Sequence, residues 1–389
     1  MLNVTFSVTG ERLSALAKHG SRARVRPRPA YPAKRGEAMQ TRLVKVAWIC
    51  AAVSFAAACT PSILVQGIID IDTLYKSYGP SPAIPFAPDK LYFTITEEGV
   101  GLTRGNIDNS NLDGTKLQSV YGGTQFPDGI ALDFIWRNMY WTDRFENTIR
   151  TATLAGQNPS VLIPNLKAPS GIAVDAFDSL ILWVERGTGQ ADGTLSAADF
   201  HDGSNATQLL SGLALPGGVA LDLVNRAATH GPSQTQQTFQ VYFTEETPKT
   251  IKRGDVTVTR DAKTYALVSI TIGNVQVVVT DNSGSPVSVA LDLVNKQMYW
   301  SNRNNIMRSN LDGSQATSIV QSFFLYQIAL DLTAKKIYFT SKSGDQDISH
   351  VSGTIGRCDL DGKNCSAPNG IIPVQTHILA VALGVASRI

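Results

Sequence analysis

The chain has 389 residues, 43% hydrophobic and 17% charged, a balance that disfavours a disordered polymer, a collagen-like fibre and a polytopic membrane protein. Its net charge of +2 is unevenly spread: residues 1–45 hold ten of the 34 Lys and Arg residues against only Glu11 and Glu37, which leaves the rest mildly acidic. An acidic body offers no electrostatic footprint for nucleic acid, so no nucleic-acid partner is expected.

Residues 1–38 are rich in Arg and Pro and show no sustained apolar periodicity, so no fold is expected there. The pattern changes at Met39, and a start at that residue would make residues 1–38 an upstream extension. Arg42 and Lys45 precede an apolar run, Val46 to Ala58, which ends Ala56-Ala57-Ala58-Cys59. Residues 39–58 thus resemble a secretory signal peptide, and the run is short for a transmembrane helix. The small residues before Cys59 also resemble a bacterial lipoprotein cleavage box, in which Cys59 becomes the lipidated first residue. Ordinary secretion is the alternative, and membrane association is expected only through such an anchor. Residues 59–89 carry Pro61, Pro80, Pro82, Pro85 and Pro88 and read as an extended tether leading to a domain at 90–389.

Two strand types alternate from Leu91 onward. The first reads Gly129-Ile-Ala-Leu-Asp133 and recurs ending at Asp175, Asp222, Asp292 and Asp331, with a sixth copy, Ala380-Val-Ala-Leu-Gly384, lacking the Asp. The second reads Met139-Tyr140-Trp141-Thr142-Asp143 and recurs around Tyr92, Trp183, Tyr242, Trp300 and Tyr338. In four of five cases seven residues separate the Asp from the first position of the aromatic pair; the interval from Asp222 to Tyr242 is twenty and contains a segment of loop composition. A third element ends in Asp-Gly at Gly114, Gly313 and Gly362, a pair suited to a hairpin turn, so each unit continues into a fourth, outer strand.

Four antiparallel strands repeated six times predict an all-β, six-bladed β-propeller. The repeat begins in the second strand type and finishes in the first, so the C-terminal Val381-Ala-Leu383 is expected to join the N-terminal blade and close the ring. Deleting residues 378–389 should therefore destabilise the whole domain. Residues 265–272 and 275–280 read as the two arms of a hairpin turning at Gly273-Asn274. In Cys358-Asp-Leu-Asp-Gly-Lys-Asn-Cys365 a turn at Asp361-Gly362 brings the cysteines opposite each other. An exported protein can oxidise that pair, and two free thiols are the alternative.

Tyr140-Trp141-Thr142-Asp143, with the Gly-Ile-Ala-Val-Asp strand, resembles the YWTD propellers of the low-density-lipoprotein-receptor class over about residues 90–384. NHL-type propellers and sugar-lactone hydrolases are similar in outline. The resemblance implies that the motif residues Asp133, Tyr140, Trp141, Asp143, Asp175, Asp222, Asp292, Trp300 and Asp331 hold blades together. The residues agree, since a carboxylate at a strand end can accept backbone N–H groups of the next turn, and the aromatics can fill the space between blades.

Propeller ligands sit in the central depression or on the loops of one face. The positions aligned to Asp128 are Ser170, Gly217, Val287, Tyr326 and Leu379, and of these Asp128, Ser170 and Tyr326 are the candidate ligand-binding side chains. One carboxylate in that ring argues against a metal on the axis, and a calcium site would need ligands from longer loops; Asp345 and Asp347 read as a solvated loop, with weak cation binding as the alternative. No catalytic residue is assigned and no cofactor is expected. The leading expectation is an exported, monomeric, non-enzymatic module that binds a protein or glycan through one face. The alternatives are a calcium-dependent lactonase-type hydrolase and a lipid-anchored cell-envelope scaffold.

Overall fold

The computed structural model describes residues 90–99, 102–322, 324–343, 352–366, 370–374 and 383–385. The leader segments 1–38 and 39–58, Cys59, the tether to residue 89, Asp345, Asp347 and Leu379 lie outside the described residues.

Each repeat forms one four-stranded antiparallel sheet. The first blade contains β1 (Lys90–Gly99), β2 (Leu102–Asn111) and β3 (Gln118–Thr124). The second contains β4 (Pro127–Asp133), β5 (Asn138–Asp143), β6 (Thr148–Thr153) and β7 (Ser160–Ile163). The third contains β8 (Pro169–Asp175), β9 (Leu180–Glu185), β10 (Gly193–Asp199) and β11 (Thr207–Leu213). The fourth contains β12 (Pro216–His230), β13 (Gln234–Glu245), β14 (Thr250–Asp261) and β15 (Leu267–Thr280). The fifth contains β16 (Ser288–Asp292), β17 (Gln297–Ser301), β18 (Asn305–Asn310) and β19 (Thr317–Gln321). The sixth contains β20 (Leu325–Asp331), β21 (Lys336–Ser343), β22 (Ser352–Asp359) and β23 (Ile372–Val374).

The last strand, β24 (Leu383–Val385), pairs with β1, placing Leu383 opposite Phe93 and Val385 opposite Leu91. It supplies the inner strand that the first blade lacks. The chain is therefore a six-bladed, all-β propeller whose ring is closed by its C-terminal strand.

Both faces of each blade are covered by neighbours, so the second-strand motif is buried along its length rather than in alternation. Tyr140, Trp141, Trp183, Tyr242, Phe243, Tyr299, Trp300 and Tyr338 are among the largest fully buried side chains. They pack across the joints: Trp141 and Met139 lie against Tyr92 and Ile107 of the first blade, while Leu91, Phe93 and Ile95 meet Tyr338, Ile355 and Ile372 of the sixth. The hydroxyl at the third motif position links adjacent inner strands. Thr142 Oγ1 accepts from Gly129 N at 2.9 Å and donates to Ser170 O at 2.7 Å, Thr244 Oγ1 donates to Val287 O at 3.2 Å, and Thr94 Oγ1 donates to Asp128 O at 2.9 Å.

The Asp-Gly turns have a second use besides reversing the chain. Gly313 has φ +84°, and a Cβ there would stand 1.8 Å from Val278 O of the preceding blade. Gly114 and Gly362 meet Ile371 O and Ile319 O in the same way, so the turn of one blade rests on the outer strand of the one before it. Cys358 and Cys365 are disulfide-bonded across the last of these turns.

Two expectations from the sequence require correction. The inserted stretch after Asp222 is not a loop: β12 and β13 continue through it, pairing Ala227 with Thr238 and His230 with Thr235. Residues 265–280 do not fold back on themselves either. Residues 267–280 form the single strand β15, and Asn274 and Val275 form a bulge opposite Gly254, between the pairs Asp255–Gly273 and Arg253–Gln276. The Asn274 side chain donates to Asp255 Oδ2 at 2.8 Å, which secures the bulge. All four strands of the fourth blade thus run beyond the ring, and Phe239, Val256, Val258 and Ile270 pack on Leu180, Leu182 and Leu195 of the third blade. Arg226 fixes this extension through ion pairs to Asp175 (2.6 Å) and Asp178.

Candidate functional site

The inner strands enclose an axial channel of about 340 Å³ whose wall includes Ala131, Ala173, Ala220, Ala290 and Ala329. Alanine at this step of each inner strand leaves the axis open, while the flanking glycines allow neighbouring inner strands to approach. At Gly171, for instance, a Cβ would lie 2.3 Å from Gly217 O.

One mouth of the channel is polar. A cavity of about 60 Å³ there brings together Asp128, Ser170, Val287 and Tyr326 at the starts of the inner strands. A second ring, which the sequence reading did not single out, meets them: Arg144, Arg186, Glu246 and Arg303. These four residues immediately follow the fourth position of the aromatic motif, and Lys342 and Thr96 hold the equivalent places in the other two copies. Five of those six positions are charged, a signal that was available in the aligned repeats.

The mouth contains three guanidinium groups against two carboxylates. Asp128 is buried, accepts from Ser170 Oγ at 2.9 Å and is ion-paired with Arg144. Glu246 bridges Arg186 (2.7 Å) and Arg303 (2.8 Å). Burial alone would raise the Glu246 carboxyl, but the two arginines outweigh it and hold it below the ordinary glutamate value. Burial opposes the charge on Arg303, yet Glu246 raises its pKa above the usual one. Arg303 lies over the Tyr326 ring at 5.6 Å and Arg144 over Phe126 at 5.3 Å, which fixes both planes.

Arg144 and Arg303 remain accessible, with side-chain exposures of 32% and 38%, and Arg144 Nε is buried without a hydrogen-bond partner among the described residues. Both carboxylates are committed to arginines, and one positive charge is left in excess. Chemically, this mouth suits an anionic group better than a cation. Among the described residues no three His, Cys, Asp or Glu side chains are grouped as a metal site.

The repeated aspartates lie at the other end of the inner strands, away from this mouth. Asp133 accepts from Ile135 N (2.8 Å) and Trp136 N (3.1 Å), Asp175 from Phe177 N (3.1 Å), Asp222 from Asn225 N (3.0 Å), Asp292 from Asn295 N (2.9 Å) and Asp331 from Ala334 N (2.8 Å). Asn225 and Asn295 also donate side-chain amides to Asp222 and Asp292, each at 2.7 Å. At Asp133 the corresponding residue is Trp136, and Asp133 Oδ2 is buried with no hydrogen-bond partner among the described residues. Burial pushes that carboxyl up to about 6.

The sign follows from linkage: a carboxyl whose folded pKa exceeds its unfolded 3.8 stabilises the fold when protonated, below that value, and the stabilisation is lost as pH rises through about 6. Replacing Trp136→Asn is expected to supply the missing amide and flatten this part of the pH dependence. Thermal melts of both proteins between about pH 4 and 8 check it, the slopes differing by on the order of 1–3 kcal/mol across the range.

No family model matches the chain. Parts of it are similar to curated proteins: 32% identity over 105 residues to low-density lipoprotein receptor-related protein 5 of Mus musculus, covering 26% of this chain and 6% of that one. The sortilin-related receptor of Homo sapiens is 36% identical over 84 residues, 21% of this chain and 4% of that one. Protein cueball of Drosophila persimilis is 37% identical over 62 residues, 15% of this chain and 10% of that one. The matched segments thus span a tenth or less of these relatives' own lengths.

Among solved structures, a chain from the crystal structure of a nidogen/laminin complex superposes with a TM-score of 0.52 at 18% identity, covering 76% of this chain and 99% of the other. With six closed blades and the aromatic motif at the joints, the chain is an all-β, six-bladed β-propeller with YWTD-like repeats, similar over part of its sequence to propeller-bearing receptors of the low-density-lipoprotein-receptor class.

Proposed function

We propose that the chain is an exported, non-enzymatic binding module that takes a protein ligand on the face bearing the polar mouth, with an acidic side chain of the ligand entering between Arg144 and Arg303. The observation that carries this reading is the excess of guanidinium over carboxylate in a small, partly desolvated cavity, where ion pairs with a ligand are screened less than at an open surface. Kinship with receptor propellers, and a structural neighbour from a nidogen/laminin complex, support protein binding as the role of the fold. Export through residues 39–58, with Cys59 as the processing or lipidation point, belongs to the same reading; mass analysis of the mature N-terminus tests that part separately.

A displayed library of linear peptides tests the binding reading. Sequences selected on the wild-type protein are expected to centre on Asp or Glu and to lose about tenfold or more in affinity toward an Arg144→Gln/Arg303→Gln variant, whose native fold is checked by circular dichroism at the binding temperature because Asp128 and Glu246 each lose a partner. Selection of sequences without acidic residues, or undiminished binding to the variant, would sink it. The calcium-dependent hydrolase draws no support from the mouth, because its two carboxylates are engaged by arginines.

A further inference from the structure

At the aspartate end of the inner strands, the residue two places beyond the capping aspartate is apolar and exposed in four blades. Ile135, Phe177, Val224 and Val294 are 41%, 53%, 46% and 73% exposed, and Trp136, beside Ile135, is exposed as well. The sixth blade has Thr333 at this place. These residues stand around the end of the axial channel opposite the polar mouth, where Leu132, Phe134 and Leu291 line its wall. A single surface valine needs no explanation, but apolar residues repeated at one step of successive blades make a ring, and a patch of that kind marks a contact surface.

The same face receives the chain. β1 begins at Lys90, paired with Asn111, just as β5 begins at Asn138, paired with Thr153, directly after the turn capped by Asp133. The segment before residue 90 therefore arrives where the other blades carry this turn. Within it, residues 63–75 read Ile-Leu-Val-Gln-Gly-Ile-Ile-Asp-Ile-Asp-Thr-Leu-Tyr, of which eight are apolar, two are acidic and none is proline. Pro80, Pro82, Pro85 and Pro88 fall between this run and the ring. A run so apolar and so weakly charged self-associates if it is left in water.

We infer that residues 63–75 dock in cis on the apolar ring at the aspartate end of the propeller. Position, reach and charge select this occupant. It enters on this face, and residues 76–89 span about 3.1 Å each when extended, a reach of roughly 40 Å that covers the turns around the axis. Asp70 and Asp72 bring negative charge to a face where the exposed Lys296 and Lys335 stand two residues beyond Val294 and Thr333. A tethered segment also acts at an effective concentration on the order of mM, so it fills the ring ahead of a partner in solution. Docking covers the apolar end of the axis and leaves the polar mouth at the other end free.

Amide hydrogen exchange of the full chain at about 1 and 100 μM tests the inference, because local protection reports local opening. Amides of residues 63–75 should exchange about tenfold or more slowly than those of an unstructured chain, equally at both concentrations. An Ile135→Thr/Phe177→Thr/Val294→Thr variant gives three blades the residue that the sixth already carries. It should bring residues 63–75 to within about threefold of unstructured rates while exchange in the blades stays as in the wild type. Asp70→Lys/Asp72→Lys, which touches no blade residue, should reduce the protection in the same direction. Val161→Thr, at a 49% exposed valine on β7, should leave it unchanged. Residues 63–75 exchanging at unstructured rates in the wild type, protection that either ring or aspartate variant leaves intact, or protection that grows with concentration, as docking onto a second copy produces, would overturn the inference.

Discussion

A chain lacking residues 378–389 is expected to lose cooperative folding of the whole propeller rather than of one blade. The deletion removes β24, and with it the backbone pairing of Leu91, Tyr92 and Phe93 on their inner side. It also exposes the joint where Leu91, Phe93 and Ile95 pack against Tyr338, Ile355 and Ile372. That joint is where the sixth blade meets the first, so an open ring leaves both with an uncovered apolar face. With domain stabilities of about 5–15 kcal/mol, loss of one joint and one inner strand is enough to depopulate the native state. Circular dichroism melts should show a broad, low-temperature transition for the truncated protein; a sharp melt within a few degrees of wild type would contradict the closure.

The second large effect is expected at Asp143. Its carboxylate accepts from Gln125 N (2.8 Å), Phe126 N (3.2 Å), Phe145 N (3.1 Å) and Glu146 N (3.0 Å), and from the Thr124 hydroxyl. One buried group thereby satisfies both the entry to β4 and the turn after β5. Asp143→Ala strands these donors and should cost about 3–5 kcal/mol, read by urea denaturation.

The fifth blade offers a built-in control. There the motif position is Asn302, whose Oδ1 still accepts from Asn304 N (3.3 Å) and Asn305 N (2.8 Å), while the carboxylate is Asp281, which takes bonds from Asn302 Nδ2 (2.7 Å) and from the Trp300 indole (2.7 Å). Asp143→Asn alone should therefore destabilise, and adding Thr124→Asp should recover a substantial part of the loss. Additive losses in the double variant would show that the two blades do not use interchangeable solutions.

The fold was legible because a propeller is assembled from neighbours in sequence. Within every blade but the first, strand order equals chain order, so spacing between Asp133 and Tyr140, or Asp292 and Tyr299, encodes the pairing directly. Even ring closure could be read, since the first strand type is missing at the start of the repeat and present at its end. The extension of the fourth blade was not legible. Its Gln- and Thr-rich stretch has loop composition, and it forms strands because four lengthened segments pair with one another while Phe239, Val256 and Val258 find an apolar surface on the third blade.

The candidate site divides in the same way. Sequence alignment placed Asp128, Ser170 and Tyr326 in one ring because they precede equivalent strands, and the structure brings all three to the mouth. It did not reveal that Arg144 neutralises Asp128, or that Arg186 and Arg303 share Glu246. Repeated local patterning, then, determined the six blades and their order by itself. Which charges meet on the axis, and with what net sign, was decided only by the tertiary structure, because residues such as Glu246 and Arg303, 57 apart in the chain, become neighbours only when the ring sets adjacent blades side by side.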